Sequence, residues 1–283
     1  MLFATTAVAA RIEGAECSLV RESAQAVAAV RPEANVMVET LAGGVAAYAG
    51  AASPLNKVVG LGLDGPVDER ELGVVERLYA DRNCPVQIEL SSLADVSVGA
   101  MLTGRGYQLV GFENVLGRLL SSENDVVDSG TSDITLEIIN ESDFDLWMDA
   151  VVTGFATPDR DGVPSHESFP REALERVMSD MARAAGFVRY LAFRRGEPAG
   201  GGSMRVSDGV LQLCGAATLP HHRCRGVQVA LLARRLADAA QAGCDLAVVT
   251  TQPGSTSQRN MQRNGFHLLY TRVVLVRRTL DRL

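Results

Sequence analysis

The segment HHRCRGVQVALL, His221 to Leu232, gathers two histidines, a cysteine, two arginines and a glycine ahead of an apolar run. Two chemistries compete for it. Metal ligation by His221, His222 and Cys224 would need adjacent side chains to converge on one ion, whereas neighbours in an extended loop point apart, and no fourth ligand follows at a zinc-like spacing. No metal is expected there. Phosphate binding accounts for more of the residues. Gly226 lets the backbone approach a ligand, and the first turn of the following helix has unpaired N–H groups whose dipole favours an anion. Arg223 and Arg225 add positive charge and fork-shaped donors for phosphate oxygens. The chain contains neither a GxxxxGK[ST] loop for a nucleoside triphosphate nor a GxGxxG strand-turn-helix fingerprint for a dinucleotide.

The elements that must hold this loop can be read on either side of it. VLQLCGAATL is strand-like, PHHRCRG is loop, VQVALLARRLADAAQAG is helical and DLAVVTTQ is strand-like. The helical pattern places Val229, Leu232, Leu236 and Ala240 on one face, Arg234, Arg235 and Asp238 on the other, and Gly243 where a C-terminal cap belongs. The same order occurs earlier, as KVVGLGL, DGPVDERE, LGVVERLYADRN and VQIEL. In addition, RGYQLVGFENVLGR from Arg105 matches NGFHLLYTRVVLVR from Asn264 without gaps, pairing Gly106 with Gly265, Tyr107 with Phe266 and Arg118 with Arg277. The polar stretch SSENDVVDSGTSD, residues 121–133, reads as a linker. Two α/β domains related by duplication are therefore expected, over residues 1–120 and 134–283.

Composition narrows the partners. The 283 residues are 47% hydrophobic, enough for two domains that each bury a core. A net charge of -7 without a basic run repels nucleic acid and anionic lipid, so neither is an expected partner. In MLFATTAVAARIEGAE the apolar run stops at Arg11 and Glu13, short of a signal peptide or a membrane span. Five scattered cysteines without a CxxC pair suit reduced thiols, and a cytoplasmic location is expected. Lys57 is the only lysine, which we read as a genomic preference for Arg codons.

LPHHRCRGVQVALL resembles the acetyl-CoA loop of the GNAT superfamily of N-acetyltransferases, in which Arg or Gln is followed by two residues, Gly, one residue, and Gly or Ala. Arg223, Cys224, Arg225, Gly226, Val227 and Gln228 fill that pattern, with Gln228 replacing the usual small residue. The resemblance runs from about Ile134 to Leu280. It implies a fold of two GNAT-like domains, each a mixed, mostly antiparallel sheet flanked by helices. It also implies acetyl-CoA or another acyl-CoA as cosubstrate, without a metal, and direct acyl transfer to the amine of a small molecule or peptide. The strand before the loop would splay from the next and bind the pantetheine arm. This implies contacts from Ala217, Thr218 and Leu219, with Arg223, Cys224, Arg225, Gly226, Val227, Gln228 and Val229 around the pyrophosphate.

Where many relatives carry a Tyr as thiolate acid, this chain has Met261, so Ser257 and Asn260 in TTQPGSTSQRN become the candidate donors and cofactor contacts. Other side chains have two readings. Tyr270 fits a core or a subunit contact at least as well as a substitute acid, Cys214 a small buried hydrophobe more than a nucleophile, and His222 a proton relay or an added charge. Trp147 and Phe155 are expected in the core, and Asp159, Asp161 and Glu167 of ATPDRDGVPSHESFP could attract a cationic amine. In the first half, Asp64, Asp68, Glu69 and Glu71 stand where the second has Arg223 and Arg225, which disfavours a pyrophosphate. That half is expected to be a degenerate copy kept for packing, for shaping the amine pocket or for homodimer contacts, leaving one acyl-CoA site per chain. A catalytically silent acyl-CoA-binding module is the alternative reading.

Overall fold

The computed structural model describes residues 2–123, 125, 133–157 and 170–278. Among these, the elements in chain order are α1 (Thr6–Val30), β1 (Met37–Leu41), β2 (Gly44–Tyr48), β3 (Lys57–Val59), α2 (Glu69–Ala80), β4 (Val86–Ser91), α3 (Val96–Gly104), β5 (Gln108–Leu119) and β6 (Ile134–Ile138). There follow α4 (Phe144–Ala156), α5 (Arg171–Met181), β7 (Phe187–Arg194), β8 (Glu197–Ser207), β9 (Val210–Thr218), α6 (Val227–Gln241), β10 (Leu246–Thr251), α7 (Thr256–Arg263) and β11 (His267–Arg277). They group into two compact units. Residues up to Leu116 pack with the segment from Thr250 onward, and the second unit is built from residues between Gly117 and Val249. Chain halves and compact units therefore divide differently, because β11 leaves the segment that carries the loop and packs in the first unit. The linker read at 121–133 lies largely outside the described residues.

The first unit has the strand order β1-β2-β3-β4-β11-β5. Its β3 and β4 run parallel, joined through α2, which is the expected strand-loop-helix-strand unit. The helix starts at Glu69, ahead of the apolar periodicity, because Asp68 caps it by accepting a hydrogen bond from the Arg70 amide at 2.7 Å. Leu72, Val75 and Tyr79 of α2 pack with Val58, Ile88, Leu102 and Tyr107 in the core. The two copies of the internal repeat form β5 and β11, which are neighbours in this sheet. On the other face α1 buries Ala9, Ile12, Val20, Ala24 and Val27, together with Glu13, so the N-terminal apolar run is an amphipathic helix. No described helix is long and apolar enough to cross a membrane.

The second unit has the order β10-β9-β8-β7-β6. β6 to β9 pair antiparallel, and β10 returns parallel to β9 through α6. Trp147, Val151 and Val152 of α4 pack with Leu191 and Ala217. A run of glycines in β8 lets helices approach closely. A Cβ on Gly201 would lie 2.7 Å from Val151 and 3.0 Å from the Trp147 ring, and one on Gly202 would lie 3.3 Å from the Arg235 guanidinium carbon.

Three side-chain placements differ from the sequence pattern. Val229 is 55% exposed, whereas Arg235 is 2% exposed and lies on the buried stripe with Leu231, Leu232 and Leu236. The stripe is rotated because Arg235 finds acceptors inside. Its Nη1 donates to the Ser203 carbonyl at 3.0 Å and its Nε to the Leu231 carbonyl at 3.0 Å. Burial pulls the guanidinium down to about 10, still charged at neutral pH. Trp147 is fully buried as expected, but Phe155 is 45% exposed and lies beside Gly215 with Met178.

Candidate functional site

The candidate site grows out of the end of β9. Parallel pairing with β10 covers only Leu246 with Val210, Ala247 with Leu211 and Val248 with Gln212. Both strands continue, to Thr218 and Thr251, without further partners between them. The divergence follows a β-bulge. Opposite Gly202 and Ser203 of β8 lie Ala216 and Cys214, which leaves Gly215 unpaired at φ +50°. This left-handed conformation is open to glycine with little strain, and a bulge increases local twist and re-aims the residues beyond it.

Alternation then fixes which backbone groups face β8 and which face away from it. The Leu219 amide donates to the Ala199 carbonyl at 3.0 Å and its carbonyl accepts from the His222 amide at 2.9 Å, so Leu219 is already satisfied. Since successive residues of an antiparallel strand direct their polar groups to opposite sides, Ala217 faces β8 with Leu219, and Ala216 and Thr218 face the side that β10 has left. The outward groups thus belong to Ala216 and Thr218; of the three expected contacts Thr218 faces that side, whereas Ala217 and Leu219 face β8. α4 approaches here as well, since a Cβ on Gly154 would lie 2.5 Å from that of Ala217.

After a single 3-10 turn at Pro220–His222, the chain reaches α6 with Cys224 at φ +58° and Gly226 at φ +85°. Gly226 occupies the N-cap of α6, which has no side-chain cap hydrogen bond and no acidic residue in its first turn. Regular helical bonding begins where the Ala230 amide donates to the Gly226 carbonyl at 2.9 Å. The N–H groups of Val227, Gln228 and Val229 therefore end α6 as an open, positively polarised terminus.

The two arginines divide their tasks. Arg223 staples the loop to the end of α4, donating to the Gly154 carbonyl at 3.0 Å, the Thr157 carbonyl at 2.5 Å and the Thr218 carbonyl at 3.4 Å. Arg225 is exposed beside the helix terminus and makes no ion pair among the described residues. Only Arg225 is thus placed to serve as a mobile cation, while Arg223 shapes the turn. His222 is 5% exposed with neither ring nitrogen hydrogen-bonded among the described residues, and its ring lies 4.2 Å from that of His221. Burial, with help from His221, holds its imidazole below the usual range. The Thr218 hydroxyl is likewise buried and has no hydrogen-bond partner among the described residues.

Other candidates are dispersed. Ser257 is exposed and Asn260 half-buried on α7, which belongs to the first unit. Met261 of the same helix is buried. Tyr270 is buried in the first unit, where its hydroxyl donates to Glu13 at 2.7 Å, so its role is in the core. Cys214 is half-buried in β9, its thiol 3.6 Å from the Gln212 carbonyl. Asp159, Asp161 and Glu167 lie outside the described residues. Among the described residues no three His, Cys, Asp or Glu side chains are grouped to hold a metal, and in the loop Cys224 and His221 are exposed while His222 is buried.

The counterpart in the first unit has the opposite character. Asp68 caps α2, and Glu69 and Glu71 occupy its first turn. The same helix terminus is therefore closed to an anion in one unit and open in the other. The bulge itself was missed at the sequence level, although a glycine inside the strand-like LQLCGAA was a usable signal.

Comparison with known proteins agrees with this geometry. Residues 154–266 match the acetyltransferase (GNAT) family model. Nothing among curated proteins matches the sequence. Among solved structures, a GCN5-related N-acetyltransferase from Kribbella flavida is similar at a TM-score of 0.62 and 16% identity, covering 90% of this chain and 95% of the other. A tandem GNAT protein from the clavulanic acid biosynthesis pathway gives 0.59 and 11%, covering 84% and 79%. A GCN5-related N-acetyltransferase from Sphaerobacter thermophilus gives 0.55 and 18%, covering 80% and 73%. Residues 154–266 are thus similar to the acetyltransferase (GNAT) family, and the fold is similar to that of GCN5-related and tandem GNAT proteins.

Proposed function

We propose that the second unit binds acetyl-CoA, or another acyl-CoA, and transfers the acyl group to a primary amine of a small molecule or peptide. The observation that carries this is the open N-terminus of α6 beside the diverging end of β9. Amides of Val227, Gln228 and Val229 together with the Arg225 guanidinium suit a pyrophosphate. The outward groups of Ala216 and Thr218 suit an extended, amide-bearing arm laid along β9 as an added strand.

The bound thioester supplies an activated acyl carbon. An amine nitrogen attacks that carbon, the C–S bond breaks, and the proton lost by the amine balances the one taken up by the departing thiolate. An N–H on the open side of β9 is the donor for the carbonyl oxygen as it becomes anionic. With Met261 buried and unable to give a proton, Ser257 and Asn260 remain the proposed donors to the thiolate, directly or through water. The first half, closed to anions by Asp68, Glu69 and Glu71, is proposed as a degenerate copy, leaving one acyl-CoA site per chain. The five free cysteines suit a reducing compartment such as the cytoplasm.

Met261 also favours a second reading, a silent acyl-CoA-binding module. Thermal melting with acetyl-CoA tests the binding common to both readings, and no shift at millimolar ligand refutes them. Release of CoA thiol in the presence of polyamines, amino sugars and peptide N-termini separates them. Amine-dependent release is expected, and its absence across the set would favour the silent module.

A further inference from the structure

The bulge at Gly215 does not hold itself. Three side chains from three elements converge on carbonyls at the register shift. Trp147 of α4 donates from Nε1 to the Gly202 carbonyl at 3.3 Å, on one face of the sheet. Arg235 of α6 donates from Nη1 to the Ser203 carbonyl at 3.0 Å, from the other face. The Ser203 hydroxyl donates across the strands to the Cys214 carbonyl, immediately before the bulged glycine. All three side chains are buried. Gly201 and Gly202 make the grip close, since a Cβ on either would press on the Trp147 ring or the Arg235 guanidinium.

A buried arginine with no carboxylate partner among the described residues is costly to retain. It is also unnecessary for filling space, which an apolar side chain of similar volume would do. What a guanidinium adds here is a directed donor at the residue where the register changes. Register decides which backbone groups of β9 face outward, because a shift of one residue turns every group to the other side.

Resting on the acyl-CoA reading above, we infer that Arg235, Trp147 and Ser203 are positioning residues. They lock the bulge so that Ala216 and Thr218, rather than Gly215 and Ala217, present their backbone groups to the acyl-pantetheine arm. They touch neither the pyrophosphate loop nor, in this assignment, the reacting atoms. Their influence should therefore fall on one end of the coenzyme only.

Two ligands separate the ends. Acetyl-CoA spans the whole site, whereas 3′-phosphoadenosine 5′-diphosphate carries the phosphates and lacks the arm. R235M keeps the volume and removes the donor, W147F keeps an aromatic ring and removes the N–H, and R235K restores a shorter donor. Calorimetric titration should show acetyl-CoA bound about tenfold more weakly by R235M and W147F, in line with loss of one or two hydrogen bonds. The phosphate fragment should bind within twofold of the parent chain, and R235K should recover part of the loss. Equal weakening of both ligands would mean general loosening and would overturn the inference, as would unchanged acetyl-CoA binding in both variants. If the parent chain binds the fragment and acetyl-CoA with the same affinity, the arm has no site on β9 and the inference fails while the phosphate loop stands. If it binds neither, the acyl-CoA reading itself is refuted.

Discussion

The first unit holds a buried ionic cluster with unequal charge, and Glu113→Gln tests how it is balanced. Lys57, the only lysine of the chain, lies 3.2 Å from Glu16 and 3.1 Å from Glu89. Arg272 donates to Glu13 at 2.7 Å and approaches Glu89 at 3.8 Å and Glu113 at 3.7 Å. Four carboxylates thus face two cations, and Tyr270 gives a hydroxyl to Glu13. Burial, then repulsion from Glu89, raises the Glu113 carboxyl from 4.5 to about 7, against the pull of Lys57 and Arg272. Because the folded value is the raised one, the folded protein holds a proton that the unfolded chain has released between these two limits. Stability from this group is complete below 4.5 and is lost as the pH rises toward 7. At about 1.4 kcal/mol per unit the ceiling of that loss is about 3 kcal/mol. A glutamine at this position carries no such titration, so the variant should be the more stable protein at pH 8, with the difference shrinking toward pH 5. Urea unfolding at half-unit steps from pH 5 to 8.5 gives both curves. Parallel curves, or a variant less stable than the parent at pH 8, would refute the assignment of the excess proton to Glu113.

Three further outcomes concern the loop and its supports, and a fourth concerns pH. Arg225→Glu replaces a charge-assisted contact to phosphate, typically about 1.5–3 kcal/mol, with repulsion, and should weaken acetyl-CoA binding at least tenfold by calorimetry. Asp68→Ala should leave that binding intact while lowering the unfolding free energy by about 1 kcal/mol, the usual cost of a lost N-cap. Gly200→Ala presses a Cβ against the Ala217 carbonyl oxygen, so the second unit should lose about 2 kcal/mol or more in denaturant melts. His222 resists protonation when folded, so stability should fall as the pH drops below about 6.5, where the unfolded imidazole takes up its proton. His222→Phe should flatten that part of the ligand-free pH profile, and an unchanged slope would show that the imidazole is not held neutral.

How legible the fold was depended on whether the information is local. The parallel units around α2 and α6 were readable because a strand, a polar loop and an amphipathic helix each announce themselves within a dozen residues. The place of β11 was not, since strand neighbours are chosen by pairing between distant segments. The internal repeat held a clue. Its ungapped alignment sets Glu113 against Arg272, and these equivalent residues face each other at 3.7 Å across neighbouring strands of one sheet. Opposite charges at equivalent repeat positions are what two copies need if they are to lie side by side rather than in separate sheets. Chance substitution in a solvated repeat would not require the pair to be complementary.

Within the candidate site, legibility followed the same division. Gly226 and the apolar start of α6 marked an open helix terminus because capping is decided by residues next to one another. The roles of the arginines were not marked, since an Arg in a loop can serve a ligand or a carbonyl with the same donors. Arg223 turned inward because the last carbonyls of α4, at Gly154 and Thr157, lie within its reach, and a helix end left without donors is unfavourable. Arg235 went further inside because a register shift presents a carbonyl that a guanidinium can reach past a glycine. In both cases the deciding acceptor is a backbone group whose exposure depends on another element's packing. A charged residue on an apparently polar helix face is therefore weak evidence of solvent, and a glycine two strands away is what reverses it.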